Sequence, residues 1–289
     1  MNDRPLVFSA TGKIRTFIAP VTATYVIEAS GAQGGAGGGK GARLKGSFKL
    51  CAGDFLQILV GRQGTAGDSP HQPAAGGGGG SFVWRGRVAS PLPPKPMLAA
   101  GGGGGGNGGD GLTSLDAGDG GAPGGRNGFG GGADHEDHHY SGGGGAGWFG
   151  AGAQGSAPTQ CGGGEQWNGG TGANYCCNVG GNGGFGGGGG GAFLGQGSGG
   201  GGGFSGGGGG TQAGPGGGGG GSFNAGTNQS NTPGAQTGDG CVSILAVPEL
   251  ATFDWPTTAP RSAASANALK TAGSFHRDGD SDGTFAGYF

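Results

Sequence analysis

Long apolar runs are missing from this chain, and with them most of the material for a large core. Only 32% of its 289 residues are hydrophobic and 11% are charged. No stretch reaches the roughly 18 apolar residues of a membrane-spanning helix, so membrane insertion is not expected. The opening MNDRPLVFSATGKIRTF has no apolar h-region, and no classical secretory signal is expected either. Work outside a cell would then need another export route or release by lysis. Arginine nearly vanishes after residue 100. Arg126 is the one Arg between residues 101 and 247, no RGG triplet occurs, and a nucleic-acid partner is not expected. Proline is sparse and the glycine runs are unbroken, which excludes the strict Gly-X-Y repeat of collagen. The five cysteines show no CxxC spacing, which argues against zinc. Cys161, Cys176 and Cys177 share one irregular insert where an oxidising setting would allow a disulfide, and the odd count leaves at least one thiol. No catalytic set emerges. No GxSxG lies on a strand–turn–helix pattern, and the many GxGxxG matches follow from glycine abundance without a βαβ context. A non-enzymatic protein is expected.

What is present in excess is glycine: 88 residues, concentrated between Gly101 and Gly221 in runs such as GGGGGGNGGDG, GGGGAGWFGAG and GGGGGFSGGGGG. Glycine has no side chain to bury and costs about 1 kcal/mol relative to alanine in a helix, so these runs are neither core nor α-helix. A flexible linker is one reading. The other is a bundle of threefold extended helices of the polyproline II form, which have no internal hydrogen bonds and can bond to one another. Ordering a backbone costs about 1–2 kcal/mol per residue, while a net hydrogen bond returns about 0.5–1.5 kcal/mol. A bundle therefore needs a scaffold to pin its ends.

The flanks supply one. LVFSAT, IRTFIAP and TATYVIEAS alternate apolar and polar residues as strands do, and ARLKGSFKL and DFLQILVG follow after a first glycine segment, GAQGGAGGGKG. Tyr25, Ile27 and Ala29 should share one face, with Val26 and Glu28 on the other. Leu44, Phe48, Leu50, Phe55, Leu56, Ile58 and Val60 are the expected core. Met97 to Ala100 and Asp239 to Val247 read as further strands. Two runs, GGGGGSFVW and GGGGGGSFNAG, end alike in Ser-Phe, as if glycine segments fed a fixed framework edge. An ordered bundle is favoured over a linker.

Charge is split along the chain. Residues 1–100 hold eleven Lys/Arg against four Asp/Glu, a balance of +7; residues 101–247 hold one against eight, a balance of −7. Such a layout suits head-to-tail contacts between copies or packing of the two halves within one. ADHEDHHY crowds His135, His138, His139 and Tyr140 with three acids. That density could hold a divalent metal, but a polar loop at a bundle tip is preferred, and such a tip is a natural receptor contact. The Gln160 to Cys177 insert, with Trp167 and Tyr175, is read the same way, as is Trp148. Beyond Pro248 the chain turns irregular, and Phe253, Trp255, Phe275, Phe285, Tyr288 and Phe289 suggest an arm that docks on another surface. Asp278, Asp280 and Asp282 match the start of a calcium loop, but Phe289 stands where the closing Glu belongs and no flanking helices fit. No cofactor is expected; calcium is the one candidate that pattern leaves.

TFIAPVTATYVIEASGAQGG, GSFKLCAGDFLQILVGRQG, GGGGGSFV, MLAAGGGGGG and GGGGGGSFNAG…GCVSI together resemble the glycine-rich domain of the anaplastic lymphoma kinase and leukocyte tyrosine kinase receptors, a pattern shared by bacterial and phage glycine-rich proteins. The likeness spans about residues 8–247. It implies an all-β fold: a jelly-roll-like sandwich carrying polyglycine II helices over residues 1–247, then an irregular arm over 248–289. More distantly the chain is similar to polyglycine-helix tail-tip adhesins of phages, whose loops touch a host receptor. No kinase or membrane helix accompanies the likeness, so cytokine binding is not implied. The expected function is structural or adhesive: a virion or surface-fibre subunit, extracellular or in the virion, forming homo-oligomers or fibres. A glycan or protein receptor on a cell surface would be its partner. A bacterial extracellular filament assembling through the arm, a carbohydrate-binding module and a polyglycine antifreeze are the alternatives.

Overall fold

A computed structural model describes residues 4–68, 74–87, 95–134, 140–156, 162–170, 174–175, 178–192, 197–211 and 216–247. All of these fall within the first of two compact units, Met1–Glu249. No helix occurs among the described residues. The strands are β1 (Leu6–Ser9), β2 (Arg15–Ile18), β3 (Ala23–Ser30), β4 (Gly41–Leu50), β5 (Phe55–Leu59), β6 (Ser81–Arg85), β7 (Leu98–Ala100), β8 (Asn174–Tyr175), β9 (Asn178–Val179), β10 (Phe223–Asn224), β11 (Thr227–Gln236) and β12 (Cys241–Val247).

They form two five-stranded antiparallel sheets, in the orders β1-β12-β3-β4-β11 and β10-β7-β6-β5-β2, plus the small hairpin β8-β9. The sheets share one core. Period-2 alternation sends Tyr25, Ile27 and Ala29 inward, opposite Phe48, Gly46 and Leu44 of β4, while Val26 and Glu28 stay half-exposed. From the second sheet come Leu56, Ile58, Val83, Leu98 and Ala100. Of the expected core residues only Phe55 is half-exposed, at the start of β5 beneath the Arg87 guanidinium, 4.3 Å from its ring centroid.

The second sheet is covered on its other face as well. Leu59, Phe82, Trp84 and Ala99 pack there against Trp148 and Phe204 of the glycine region. Burial on both faces is why β5 reads as a nearly continuous apolar run.

The glycine segments leave directly from strand ends: β3 runs into Gly31, β5 into Gly61 and β7 into Gly101. They are extended and mostly buried, and their backbone groups bond between segments. The donors repeat every third residue. In the segment 199–204, the N–H groups of Gly199 and Gly202 donate to Ala75 and Gly78. Those of Gly200 and Gly203 donate to Gly143 and Ala146, and those of Gly201 and Phe204 to Gly218 and Gly221. One segment thus serves three parallel neighbours in rotation. Its carbonyls turn elsewhere, accepting from Gly105, Gly189, Gly207 and Gly102. Segment 142–148 repeats the scheme with antiparallel neighbours: Gly142, Gly145 and Trp148 donate to Gly210, Gly207 and Phe204. The buried backbone is satisfied by this exchange, which answers the cost of placing so many peptide groups away from water. Side chains are kept out by space. A Cβ on Gly201 would fall on the Gly102 carbonyl, and one on Gly207 on the Gly218 carbonyl.

Two serines lock the glycine segments to the sheets. Buried Ser81 Oγ donates to the Ser30 carbonyl at 2.7 Å and accepts the Gly61 N–H at 2.9 Å. Buried Ser222 Oγ donates to the Leu112 carbonyl and accepts the Gly101 N–H at 2.9 Å. These are the serines of the two Ser-Phe echoes: Ser81 opens β6 and Ser222 immediately precedes β10, and each ties its strand to the point where another glycine segment departs.

Strand β11 was not foreseen. Its sequence TNQSNTPGAQ has no apolar face because it is an edge strand lying in solvent, paired with β4 alone. Pro233, with Asn228 and Gly234 at positive φ, accompanies the two register shifts that interrupt this pairing.

Candidate contact surface

The large side chains of the glycine region divide into an inner and an outer set. The inner set is an aromatic cluster. Trp84 and Trp167 stack with centroids 5.4 Å apart and planes 3° from parallel. Trp148 meets both edge-on at 5.8 and 5.5 Å, and Phe82 lies 5.8 Å from Trp148 and 5.6 Å from Trp167. The Gln166 amide donates to the Trp148 carbonyl at 2.6 Å, and the Gly186 N–H donates to that of Trp167 at 2.9 Å. Trp148 is 1% exposed. The expectation that it touches a receptor is therefore corrected: its ring fills the space between sheet and glycine segments. Trp167 is half-buried, one face taken by Trp84.

The other expected contact residues are scattered. Tyr140 is half-buried near Ser141, whose hydroxyl donates to the Asp134 carbonyl at 2.7 Å. Tyr175 lies on β8, which pairs with β9. His135, His138 and His139 lie outside the described residues. So do Phe253, Trp255, Phe275, Phe285, Tyr288 and Phe289 of the arm, the Asp278, Asp280 and Asp282 loop, and Cys161, Cys176 and Cys177. Among the described residues no three His, Cys, Asp or Glu side chains gather to hold a metal.

Beside the aromatic cluster runs an open groove of about 450 Å³, lined by Ala151, Gly152, Gln154, Gly162, Gly163, Glu165, Gly169 and Gly170. Its walls are mostly peptide groups, with one carboxylate. Glu165 accepts from the Asn168 amide at 3.3 Å. Such a lining can hydrogen-bond a polar ligand but offers no nucleophile beside a base.

The outer set was not foreseen. Leu115, Phe129 and Phe149 are 48%, 60% and 48% exposed. They stand on neighbouring turns: the Ala117 N–H donates to Gly125, Asp116 pairs with Arg126 at 3.2 Å, and the rings of Phe129 and Phe149 are 6.1 Å apart. In sequence Phe129 and the Trp148–Phe149 pair look alike, bulky residues set between glycines. Without periodicity nothing distinguishes the ring that turns inward from the one that stays out.

The remaining exposed large apolar residues among those described lie on the edge strands and at the end of β12: Leu6 at 51% and Val7 at 59% on β1, Ile18 at 51% on β2 and Val247 at 39%. On the outer face of the first sheet, Arg43, Lys45 and Lys49 are exposed along β4, with Glu28 3.7 Å from Arg43. Cys241 is half-buried on that face; burial, reinforced by the nearby Glu28 carboxylate, raises its thiol pKa, and Arg43 only partly opposes this. Cys51 is exposed and free. A scan against protein-family models returns no match for the chain, and a search of curated proteins returns none either.

Proposed function

We propose that the chain is a structural and adhesive subunit of a virion or cell-surface fibre, in which a jelly-roll-like sandwich grips a bundle of polyglycine II helices. The observation that carries this reading is the three-residue rotation of donors in the glycine segments. A threefold extended helix with 3 residues per turn presents its N–H groups in that rotation. Bundled helices of this kind spend their backbone hydrogen bonds on one another, so recognition is left to the turns at their ends. Exposed Leu115, Phe129 and Phe149 stand on such turns. A stiff platform with side chains only at its turns suits attachment to a neighbour or a receptor. It has no need of catalytic chemistry. On this reading the chain is a relative of the glycine-rich receptor domains that it resembles. Sugar stacking on Trp148, as in a carbohydrate-binding module, has no open ring face to use.

Electron microscopy of purified full-length protein over a concentration series tests the proposal. Regular filaments or defined oligomers are expected, with binding to host cells by the assembled form. Protein that stays monomeric at every concentration and binds no cell surface would overturn it.

A further inference from the structure

Inside the bundle the glycine segments spend their backbone donors on one another. All six N–H groups of 199–204 are engaged, and so are all seven of 142–148. The open groove of about 450 Å³ departs from this pattern. Its lining comes from three segments, 151–154, 162–165 and 169–170. The middle one touches both others. The Gly152 N–H donates to the Gly164 carbonyl at 2.8 Å, and a Cβ on Gly170 would fall on the Gly162 carbonyl.

In 151–154 two of the three donor directions are used: Gly152 donates to Gly164, and Ala153 donates to Gly131 at 2.9 Å. The third meets no other segment. The N–H groups of Ala151 and Gln154, three residues apart, have no partner among the described residues, and both residues are exposed. In 162–165, Gly164 donates inward to Gly144 at 2.8 Å, while the half-buried Gly163 has neither its N–H nor its carbonyl paired among the described residues. Gly169, half-buried on the far wall, is in the same state.

The groove thus presents the peptide groups that elsewhere meet another glycine segment. In a threefold extended chain residues i and i+3 face the same way, about 9.3 Å apart at ~3.1 Å per residue. A partner that answers Ala151 and Gln154 together, and reaches the groups of Gly163 and Gly169, is itself an extended chain of that form. It must carry glycine on the sides that meet the walls. Where segments already pack here, an added Cβ falls on a carbonyl: that of Gly152 for Gly163, and that of Gly183 for Gly169. Only the side looking out of the groove has room for a side chain. The inner segments of a second copy cannot serve, because their donors are spent within their own bundle.

We infer that the groove binds an extended glycine-rich segment of another protein, of the pattern Gly-Gly-X with X turned outward, which joins the bundle as one more helix. It is the threefold-helix counterpart of a peptide adding a strand to a sheet edge. This inference rests on the polyglycine-helix reading of the segments and names a partner for them.

The probe is a peptide of four Gly-Gly-Pro repeats, capped at both ends. Proline takes the outward place, where no N–H is needed, and pre-sets the extended form, which lowers the cost of ordering the peptide. Titrated into isotope-labelled full-length protein, it should shift the amide signals of Ala151, Gln154, Gly163 and Gly169 to saturation, with a Kd of about 1 mM or tighter. The same peptide with Gly-Ala-Pro repeats should bind at least about tenfold more weakly, since a methyl group then faces a wall. Gln154→Pro deletes one donor at an exposed, extended position and should weaken binding about two- to tenfold. Gln154→Ala keeps that N–H and should bind as wild type does. Titration without saturation, equal binding of the alanine peptide, unchanged binding by Gln154→Pro, or an equal loss with Gln154→Ala would each overturn the groove site. The fibre reading is judged separately by electron microscopy: protein that takes the peptide yet never assembles overturns the fibre and leaves the groove.

Discussion

Gly201 has no room for a methyl group, because the atoms it would meet belong to the Gly102 backbone rather than to a flexible side chain. Gly201→Ala should therefore cost about 1–3 kcal/mol, the range for overpacking a dense interior. At Gly150 a Cβ would meet only the Phe129 ring, at 3.8 Å, and Gly150→Ala should change stability by no more than about 0.5 kcal/mol. Urea midpoints of the two variants measured side by side check the contrast. Cys241 makes a prediction of its own. Its raised pKa means that the folded state favours the neutral thiol, chiefly because of burial. That contribution is complete below the ordinary thiol value of 9.0 and is lost as pH rises through the folded value. Cys241→Ser should flatten the alkaline fall of stability relative to wild type in denaturant titrations above pH 9. A steeper fall would contradict the assignment.

At the scale of elements, the strands were legible and the glycine arrangement was not. Alternation in TATYVIEAS and ARLKGSFKL marks β3 and β4 because one face of the sheet is buried and the other wet. Strand β11 escaped because, as a solvent-facing edge, it has no apolar face to alternate. The segments between Gly101 and Gly221 are joined by peptide groups, which are the same in every residue, so sequence carries no record of which run lies beside which. Trp148 is the clearest casualty: set with Phe149 between glycines it looks like a tip residue, yet it is the ring that closes the second sheet. Trp148→Ala should cost about 3–5 kcal/mol, as large core truncations do, read from the thermal midpoint. The Ser-Phe echoes were legible as a framework edge, but the hydroxyl that makes them one was not. Ser81→Ala would leave the buried Gly61 N–H unpaired and should cost about 1–3 kcal/mol. Ser81→Thr would keep the hydroxyl and separate that loss from simple crowding.

For the molecule as a whole, the +7 and −7 halves matter more than the net charge of −2. If copies join the basic half of one to the acidic half of the next, association should weaken steeply between about 0.05 and 0.5 M salt, over which the screening length shrinks below about 5 Å. Light scattering at fixed protein concentration reads this directly, and association that grows with salt would point to a contact driven by apolar area alone. The inner half of the molecule should respond differently. Amide hydrogen exchange in the segments 142–148 and 199–204 should be as slow as in β3, since their N–H groups are all engaged between segments rather than with water.

The rotation of donors among neighbours also sets a rule for length. On the proposed threefold helix each residue turns the chain by about a third of a revolution, so a segment would behave as a screw with a pitch of three. One extra glycine within 199–204 would aim every following N–H at the wrong neighbour, and two would do the same in the other direction. Three would advance the thread by one whole turn and restore every partner one step further on. Among sequences built on this plan, insertions and deletions in the runs should come in threes, and nine nucleotides should be the smallest insertion or deletion in a gene that leaves the donor pairing intact.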